Sequence, residues 1–361
     1  MKLIHLTEAA IEDLLGGRAR GPHPDAAPCA LSLGSFDGLH LGHRRLIGAV
    51  RAAQTRLDLP VSALFTFRLH PRQLLDPWGA PPLLTPWRER LALLEELGLD
   101  LLVAADFCPA LARTPYDDFV RLFLVERLGL RHMVAGHDVH LGAGRGGNAD
   151  TLAALGPALG YGFEVVPALE VAGQVVSSSA IRGRLAAGEV AAAAALLGRP
   201  YALWGEVGGG EGRGGAIGCP TANVTPLEAE KLLPAPGVYA VRVLVPADLA
   251  ARGAAGGSAP VTRAAPPSPA AGDAFAVGPA TEWRSLPGML NFGRVPTFHP
   301  GGLDRPRVEA HLFDFTGDLR GRVVRVDWIA RLREERRFAG VDALVVQLAL
   351  DRAAALRALA G

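Results

Sequence analysis

Several features are scarce in this sequence, and each scarcity removes a class of protein. Cysteine is one: Cys29, Cys108 and Cys219 are three in number, widely spaced and without a CxxC pair. Neither a disulfide framework nor a cysteine-based metal cage is expected, and all three read as reduced thiols. Charge of one sign is another, because 37 lysines and arginines nearly cancel 36 aspartates and glutamates. No global field would hold a nucleic acid or an anionic membrane, so any phosphate must be gripped locally. Long apolar runs are missing as well. No uncharged apolar stretch of about 18 residues occurs, which argues against a membrane span. The opening MKLIHLTEAAIEDLL has one lysine followed by acidic residues, unlike the basic, continuously apolar start of a signal peptide. A cytoplasmic protein with neither membrane nor nucleic-acid partners is the expectation.

What is present is length and a change of pattern along it. At 361 residues the chain exceeds one average domain, so two are expected, each with its own core. In the first half, short apolar runs (CALSLGSF, VSALFTF, DLLVAADF, HMVAGH) alternate with helical patterns (LIGAVRAAQTRL, WRERLALLEELGL). Buried strands separated by amphipathic helices predict a parallel sheet covered on both faces, a doubly wound α/β domain. A helix over 189–197, stopped by Gly198 with Pro200 behind it, places the boundary near 187. The domains are then 1–187 and 188–361. Beyond the boundary YALWGEV, GVYAVRVLV, RVEAHLFDF and RVVRVDWIARL read as strands without intervening helices, and a helix at about 340–359 closes the chain. An antiparallel barrel with a C-terminal helix follows. Residues 247–282 are rich in alanine, glycine, proline and serine; they offer too little large apolar surface to offset ordering and are expected to form a mobile loop.

The sharpest motif is GSFDGLHLGHRRL at 34–46, between an apolar strand and a helix. Gly34 and Gly38 permit a tight turn, and the helix start near Leu41 presents unpaired amides to an anion. His40 and His43 lie three apart and can project from one turn toward the same phosphate. As hydrogen-bond donors they would stabilise charge building on ATP phosphates while pyrophosphate departs. A bare HxxH is more simply a helix cap; the strand, glycine turn and following helix favour function here. With FTFRLHP, LLTPWRERLALLEELGLD, GHDVHLGAGRGGN and VVSSSAIRGRL in the same order, this half resembles the HxGH adenylyltransferase half of bacterial bifunctional riboflavin kinase/FAD synthetases.

The resemblance implies a Rossmann-like nucleotidyltransferase fold and ATP binding by Gly34, Phe36, Asp37 and Gly38. It extends to SSSAIR at 177–182, where Ser178, Ser179 and Arg182 are implied to hold ATP phosphates through hydroxyls and a guanidinium. His70 and Asp138 are implied on the flavin side. Two positions depart from the family's GxDFxFG pattern: Val139 and Leu141 stand where aromatics are usual, which lowers the stacking available to a flavin.

In the second half GEVGGGEGRGGAIGCPTANV at 205–224 sets a glycine-dense turn against Pro220-Thr221-Ala222-Asn223. Its amides can face phosphates, and the Thr221 hydroxyl and Asn223 amide can offer oxygens to Mg²⁺. In RVEAHLFDF at 307–315, strand alternation puts Val308, Ala310 and Leu312 on one face and Glu309 with His311 on the other. A carboxylate on the open face could take the proton of an attacking hydroxyl. The glycine stretch with PTAN resembles the riboflavin kinase half of the same family, which implies nucleotide binding at Gly218, Thr221 and Asn223 and makes Glu309 the catalytic base. Asn291, in NFGRVPT, and Arg333, in LREERRF, are supporting candidates on the flavin side, with an ordinary surface ion pair the alternative for Arg333.

The implied function is sequential. Riboflavin and ATP give FMN in a barrel kinase domain, then FMN and a second ATP give FAD and pyrophosphate, with Mg²⁺ in attendance. Three other readings stand beside it: a kinase whose first domain has lost flavin affinity, a flavin-sensing protein without turnover, and an adenylyltransferase for another substrate. The last leaves the PTAN half without a use, and a sensor needs neither HxGH nor Glu309.

Overall fold

Near-continuous apolar sequence makes the strands of the first half bury on both faces. The computed structural model describes residues 1–76, 79–209, 219–250, 261–264, 281–294 and 306–360. Strands β1 (Lys2–Leu6), β2 (Cys29–Leu33), β3 (Val61–Phe67), β4 (Leu101–Ala105), β5 (Leu130–Gly136) and β6 (Gly162–Val166) form one sheet in the order β1-β4-β3-β2-β5-β6. All pairings are parallel. Every residue of β4 is buried, whereas the edge strand β6 buries only Val166. The helix Leu41–Arg56 turns Leu46, Ile47, Val50 and Ala53 inward, one face of a 3.6-residue period. From β2 the chain winds first toward β3 and β4, then returns to place β5 and β6 on the other side. A crevice therefore opens beyond the carboxyl ends of β2 and β5, where open α/β sheets take their ligands. A small hairpin, β7 (Glu170–Val171) with β8 (Gln174–Val175), follows.

The second half closes on itself. Its strands are β9 (Tyr201–Gly208), β10 (Ala222–Pro226), β11 (Gly237–Pro246), β12 (Val261–Ala264), β13 (Thr281–Arg294), β14 (Pro306–Leu312) and β15 (Val323–Arg333). They run β11-β15-β9-β10-β14-β13, and a β11–β13 pairing shuts this six-stranded antiparallel barrel, with β12 added beyond β13. The helix Val341–Ala360 lies on β11, β13 and β15 and buries Ala355 and Leu359. Both the doubly wound sheet and the barrel with its C-terminal helix agree with expectation. Strands β10 and β13 were not anticipated, because Pro226 and Pro287 interrupt their sequences.

The chain divides into two compact units, Met1–Pro82 with Leu93–Val176, and Leu83–Ala92 with Ser177–Gly361. The division falls at 176/177 rather than near 187. The reason is packing: the helix Ser178–Ala186 lies against the helix Val190–Leu197, which in turn rests on β9 and β15. Leu83–Ala92 joins the second unit through a short ladder and a buried ion pair. The Leu83 amide donates to the Glu230 carbonyl at 2.8 Å, Leu232 donates back to Leu83 at 2.8 Å, and Lys231 Nζ meets Glu89 Oε2 at 2.5 Å. Within 247–282, expected as a mobile loop, Ala247–Ala250 form a helical turn and Val261–Ala264 pair with β13; 251–260 and 265–280 lie outside the described residues. Among the described residues no helix is long and apolar enough to cross a membrane.

Candidate active sites

The turn after β2 is strained and overdetermined. Phe36 (φ +49°), Gly38 (φ +88°) and Leu39 (φ +41°) all take left-handed backbone, which costs a non-glycine residue on the order of 1 kcal/mol or more. Burial of the Phe36 and Leu39 side chains, each 1% exposed, holds them there. Asp37 is buried between them. His40 ends this turn and caps the helix Leu41–Arg56: its Nδ1 accepts the His43 amide at 3.2 Å. A neutral His40 must then carry its proton on Nε2. Its ring lies parallel to that of His43, with centroids 3.6 Å apart and 15° between planes, and Phe36 meets His43 edge-on. A Cβ on Gly42 would stand 3.1 Å from His40 Nδ1, so the glycine between the histidines is what lets them stack. The capping reading of HxxH is thus realised, and it leaves Nε2 as the donor nitrogen of a neutral His40.

A cavity of about 710 Å³ opens at the carboxyl ends of β2, β3, β4 and β5, within the range of small-molecule sites. Of the residues expected there, Gly34, Phe36, His43, His70 and Asp138 line it; His40 sits behind His43. His70 caps the short helix Pro71–Leu75 by accepting the Arg72 amide at 3.1 Å. The Asp138 carbonyl accepts from His140 Nδ1 at 2.9 Å. Val139 and Leu141 line the wall as aliphatic residues, but Phe36, Phe67, Phe107 and Phe119 line it too, with Phe67 and Phe107 in edge contact at 5.3 Å. The aromatic surface absent from the motif is supplied by other strand ends, by the turn after β2 and by the helix Tyr116–Phe119. Sequence reading missed Phe107, whose only signal was its place at the end of a predicted strand, and Phe119, which comes from that short helix.

Arg72 and Arg145 are further lining residues that motif reading passed over. Arg145 has φ +59° beside Gly144 at +66°, a lone cation in a glycine-rich run. Gly142 is obligatory in that loop, since a Cβ there would lie 2.4 Å from the Tyr116 amide nitrogen.

Ser178, Ser179 and Arg182 belong to the helix Ser178–Ala186 of the second unit. Ser177, not either candidate serine, caps it, accepting the Ala180 amide at 3.2 Å. That places Ser178 and Ser179 in the first turn with Arg182 one turn on along the same face.

In the barrel the strand register gathers the remaining candidates. Glu309 on β14 pairs with Asn223 on β10 and with Asn291 on β13, so the three occupy one row across adjacent strands. Val308, Ala310 and Leu312 are buried while Glu309 and His311 are half-buried, the alternation expected. Thr221 is exposed one residue before β10; Gly218 lies outside the described residues. The Asn291 amide donates to Glu335 Oε1 at 3.1 Å, and Gly293 leaves room for that carboxylate. Arg333, expected on the flavin side, is the last residue of β15 and its guanidinium is gripped by Asp351 of the C-terminal helix, Nε to Oδ1 at 2.9 Å and Nη2 to Oδ2 at 2.7 Å. It ties strand to helix. Burial pushes the Cys219 thiol up to about 11 and the Cys29 thiol up to about 12, which keeps both protonated and unreactive.

Two constellations, one per unit, now coincide with two family models: an FAD synthetase model matches 23–180 and a riboflavin kinase model matches 197–359. The bifunctional riboflavin kinase/FMN adenylyltransferase of Escherichia coli K12 is 34% identical over 325 residues, 90% of each chain. The chain belongs to the bifunctional riboflavin kinase/FMN adenylyltransferase family. Within it, the Pseudomonas fluorescens member is 33% identical over 94% of this chain and 97% of its own. The Bacillus subtilis member is 30% identical over 99% and 98%. The crystal structure of a protein described as a macrolide-efflux protein from Streptococcus pneumoniae matches with a TM-score of 0.76 at 26% identity, covering 98% of each chain.

Proposed function

We propose that this chain converts riboflavin to FMN in its barrel and FMN to FAD in its α/β unit, spending one ATP in each step, in the cytoplasm. The observation that carries the reading is the presence of two separate constellations: stacked histidines at an aromatic-walled cavity in one unit, and a carboxylate flanked by two asparagines in the other.

In the barrel, Glu309 takes the proton of the ribityl hydroxyl as its oxygen attacks the γ-phosphorus of ATP, and ADP leaves. Positioned general bases contribute on the order of 10²–10⁴-fold. Thr221 and Asn223 hold the nucleotide phosphates. Among the described residues no cluster of three His, Cys, Asp or Glu is placed to cage a metal. A hydroxyl and an amide oxygen instead suit Mg²⁺ that arrives on the ATP phosphates, where it would offset their charge. Asn291 faces the flavin.

In the α/β unit, a phosphate oxygen of FMN attacks the α-phosphorus of ATP and pyrophosphate departs. His40, through Nε2, and His43 stabilise the charge that builds on the phosphates. The cavity takes the isoalloxazine against Phe67 and Phe107, with His70 and Asp138 at its edge, and Arg72 and Arg145 provide cations for the FMN phosphate.

A second reading, a kinase with an impaired first domain, is motivated by Val139 and Leu141; the four phenylalanines of the cavity weigh against it. Purified protein with ATP and Mg²⁺ is given riboflavin or FMN, and FMN and FAD are followed by chromatography. Both conversions are expected. Glu309→Gln should lower the first by at least 100-fold and spare the second, and His43→Ala the reverse. Riboflavin phosphorylation without any FAD from added FMN would establish the impaired-domain reading instead.

A further inference from the structure

We infer that His311 is a positioning residue for riboflavin phosphorylation, its ring clamping the turn that presents Thr221 beside Glu309; the inference rests on the kinase reading of the barrel. The β10–β14 ladder has its last pair at Ala222 and Ala310. One residue earlier the chain holds Thr221, and before it Pro220, which has no amide proton with which a ladder could continue. At that point a side chain takes over. His311 Nδ1 lies 2.7 Å from the Pro220 carbonyl oxygen. A carbonyl only accepts, so Nδ1 carries the proton and donates, and protonation of Nε2 leaves the bond in place.

The clamp sets a specific torsion. The proline ring already fixes φ of Pro220, which leaves ψ as the free dihedral between the core and Thr221. Cys219 on one side is buried in the cluster that contains Met289 and Phe313, and Ala222 on the other side is in the ladder. Holding the intervening carbonyl fixes ψ, and with it the direction in which the exposed Thr221 hydroxyl points.

The ring is itself held. Phe313, 2% exposed, meets His311 edge-on with centroids 5.7 Å apart, and Arg352 lies 4.7 Å over the Phe313 ring. Two residues along the same face of β14 stands Glu309. One strand therefore carries the carboxylate and sets where the phosphate-side threonine lies relative to it.

The test compares full-length wild type, His311→Ala and His311→Asn, whose amide nitrogen occupies the position of Nδ1. Losing one such hydrogen bond should raise KM for MgATP in riboflavin phosphorylation roughly tenfold in the alanine variant, with a smaller change in kcat. The asparagine variant should recover most of the loss. FMN adenylylation by the same molecules is the internal control and should stay at the wild-type value, while the melting temperature should fall by no more than about 5 °C, the cost of one hydrogen bond. An alanine variant with unchanged KM for MgATP overturns the clamp, as does an asparagine variant no better than alanine. If the alanine variant does not fold, the asparagine variant decides: near-wild-type KM supports the clamp and a tenfold rise refutes it. Wild type that fails to phosphorylate riboflavin would sink the kinase reading itself, a result distinct from these.

Discussion

His40 closes the first turn of its helix through Nδ1 and lies flat on His43, and both relations depend on Gly42. A methyl group at 42 would force the ring of His40 to give by a few tenths of an ångström against a contact of 3.1 Å. Displacements approaching 1 Å cost on the order of 100-fold in rate, so Gly42→Ala should slow FAD formation roughly tenfold or more. Riboflavin phosphorylation in the same sample should be untouched. Steady-state rates of both reactions check this, and equal losses in the two would point to misfolding. Arg145 makes the converse case, a residue that accepts backbone strain at φ +59° in a position glycine would occupy freely. Arg145→Gly should therefore gain up to about 1 kcal/mol of stability while raising KM for FMN. A variant that neither melts higher nor binds FMN more weakly removes Arg145 from the site.

At the scale of elements, the segment Leu83–Ala92 docks against the residues before β11 and brings a buried carboxylate with it. Burial pushes Glu228 up to about 7 from an ordinary 4.5, with Glu89 and Glu230 adding repulsion, although the Arg88 amide donates to it at 3.0 Å. The folded state thus holds a proton that the unfolded state releases between pH 4.5 and 7. Stability contributed by this group is full below that window and falls as pH rises through it. Glu228→Gln keeps an acceptor for Arg88 without the charge. It should match wild type near pH 4.5 and exceed it on the order of 1–2 kcal/mol at pH 8, read from denaturant melts; no pH-dependent difference would discard the assignment. The Arg333–Asp351 pair is the other tie between elements. Arg333→Ala strands a carboxylate that is 3% exposed, a loss of roughly 3 kcal/mol. Arg333→Met with Asp351→Leu should restore stability, and if that stable pair variant loses affinity for riboflavin, Arg333 has a flavin contact after all.

Across the whole molecule, what sequence could reveal follows from how local each feature is. HxGH and PTAN are legible because a turn and the start of the next element carry all their chemistry within a few residues. The cavity is not, since Phe67, Phe107 and Phe119 reach it from separate strand ends and a helix. Nor is the row Asn223, Glu309, Asn291, which depends on the pairing of β10 and β13, strands whose prolines hide them. The unit boundary shifted for the same reason, because only packing reveals which neighbour claims the helix Ser178–Ala186. The two constellations draw on different residues throughout, with FMN the product of one and the substrate of the other. If FMN passes through solution, each site needs nothing from its covalent partner except that product. A mixture of Glu309→Gln and His43→Ala proteins, each unable to carry riboflavin to FAD alone, should then make FAD from riboflavin. FMN should accumulate first and FAD appear after a lag that shortens as the concentration of the Glu309→Gln protein rises. Chromatography over the time course measures both flavins. A mixture that stops at FMN, although the Glu309→Gln protein alone adenylylates added FMN at the same concentration, would mean that FMN made in a barrel is not released to the solution.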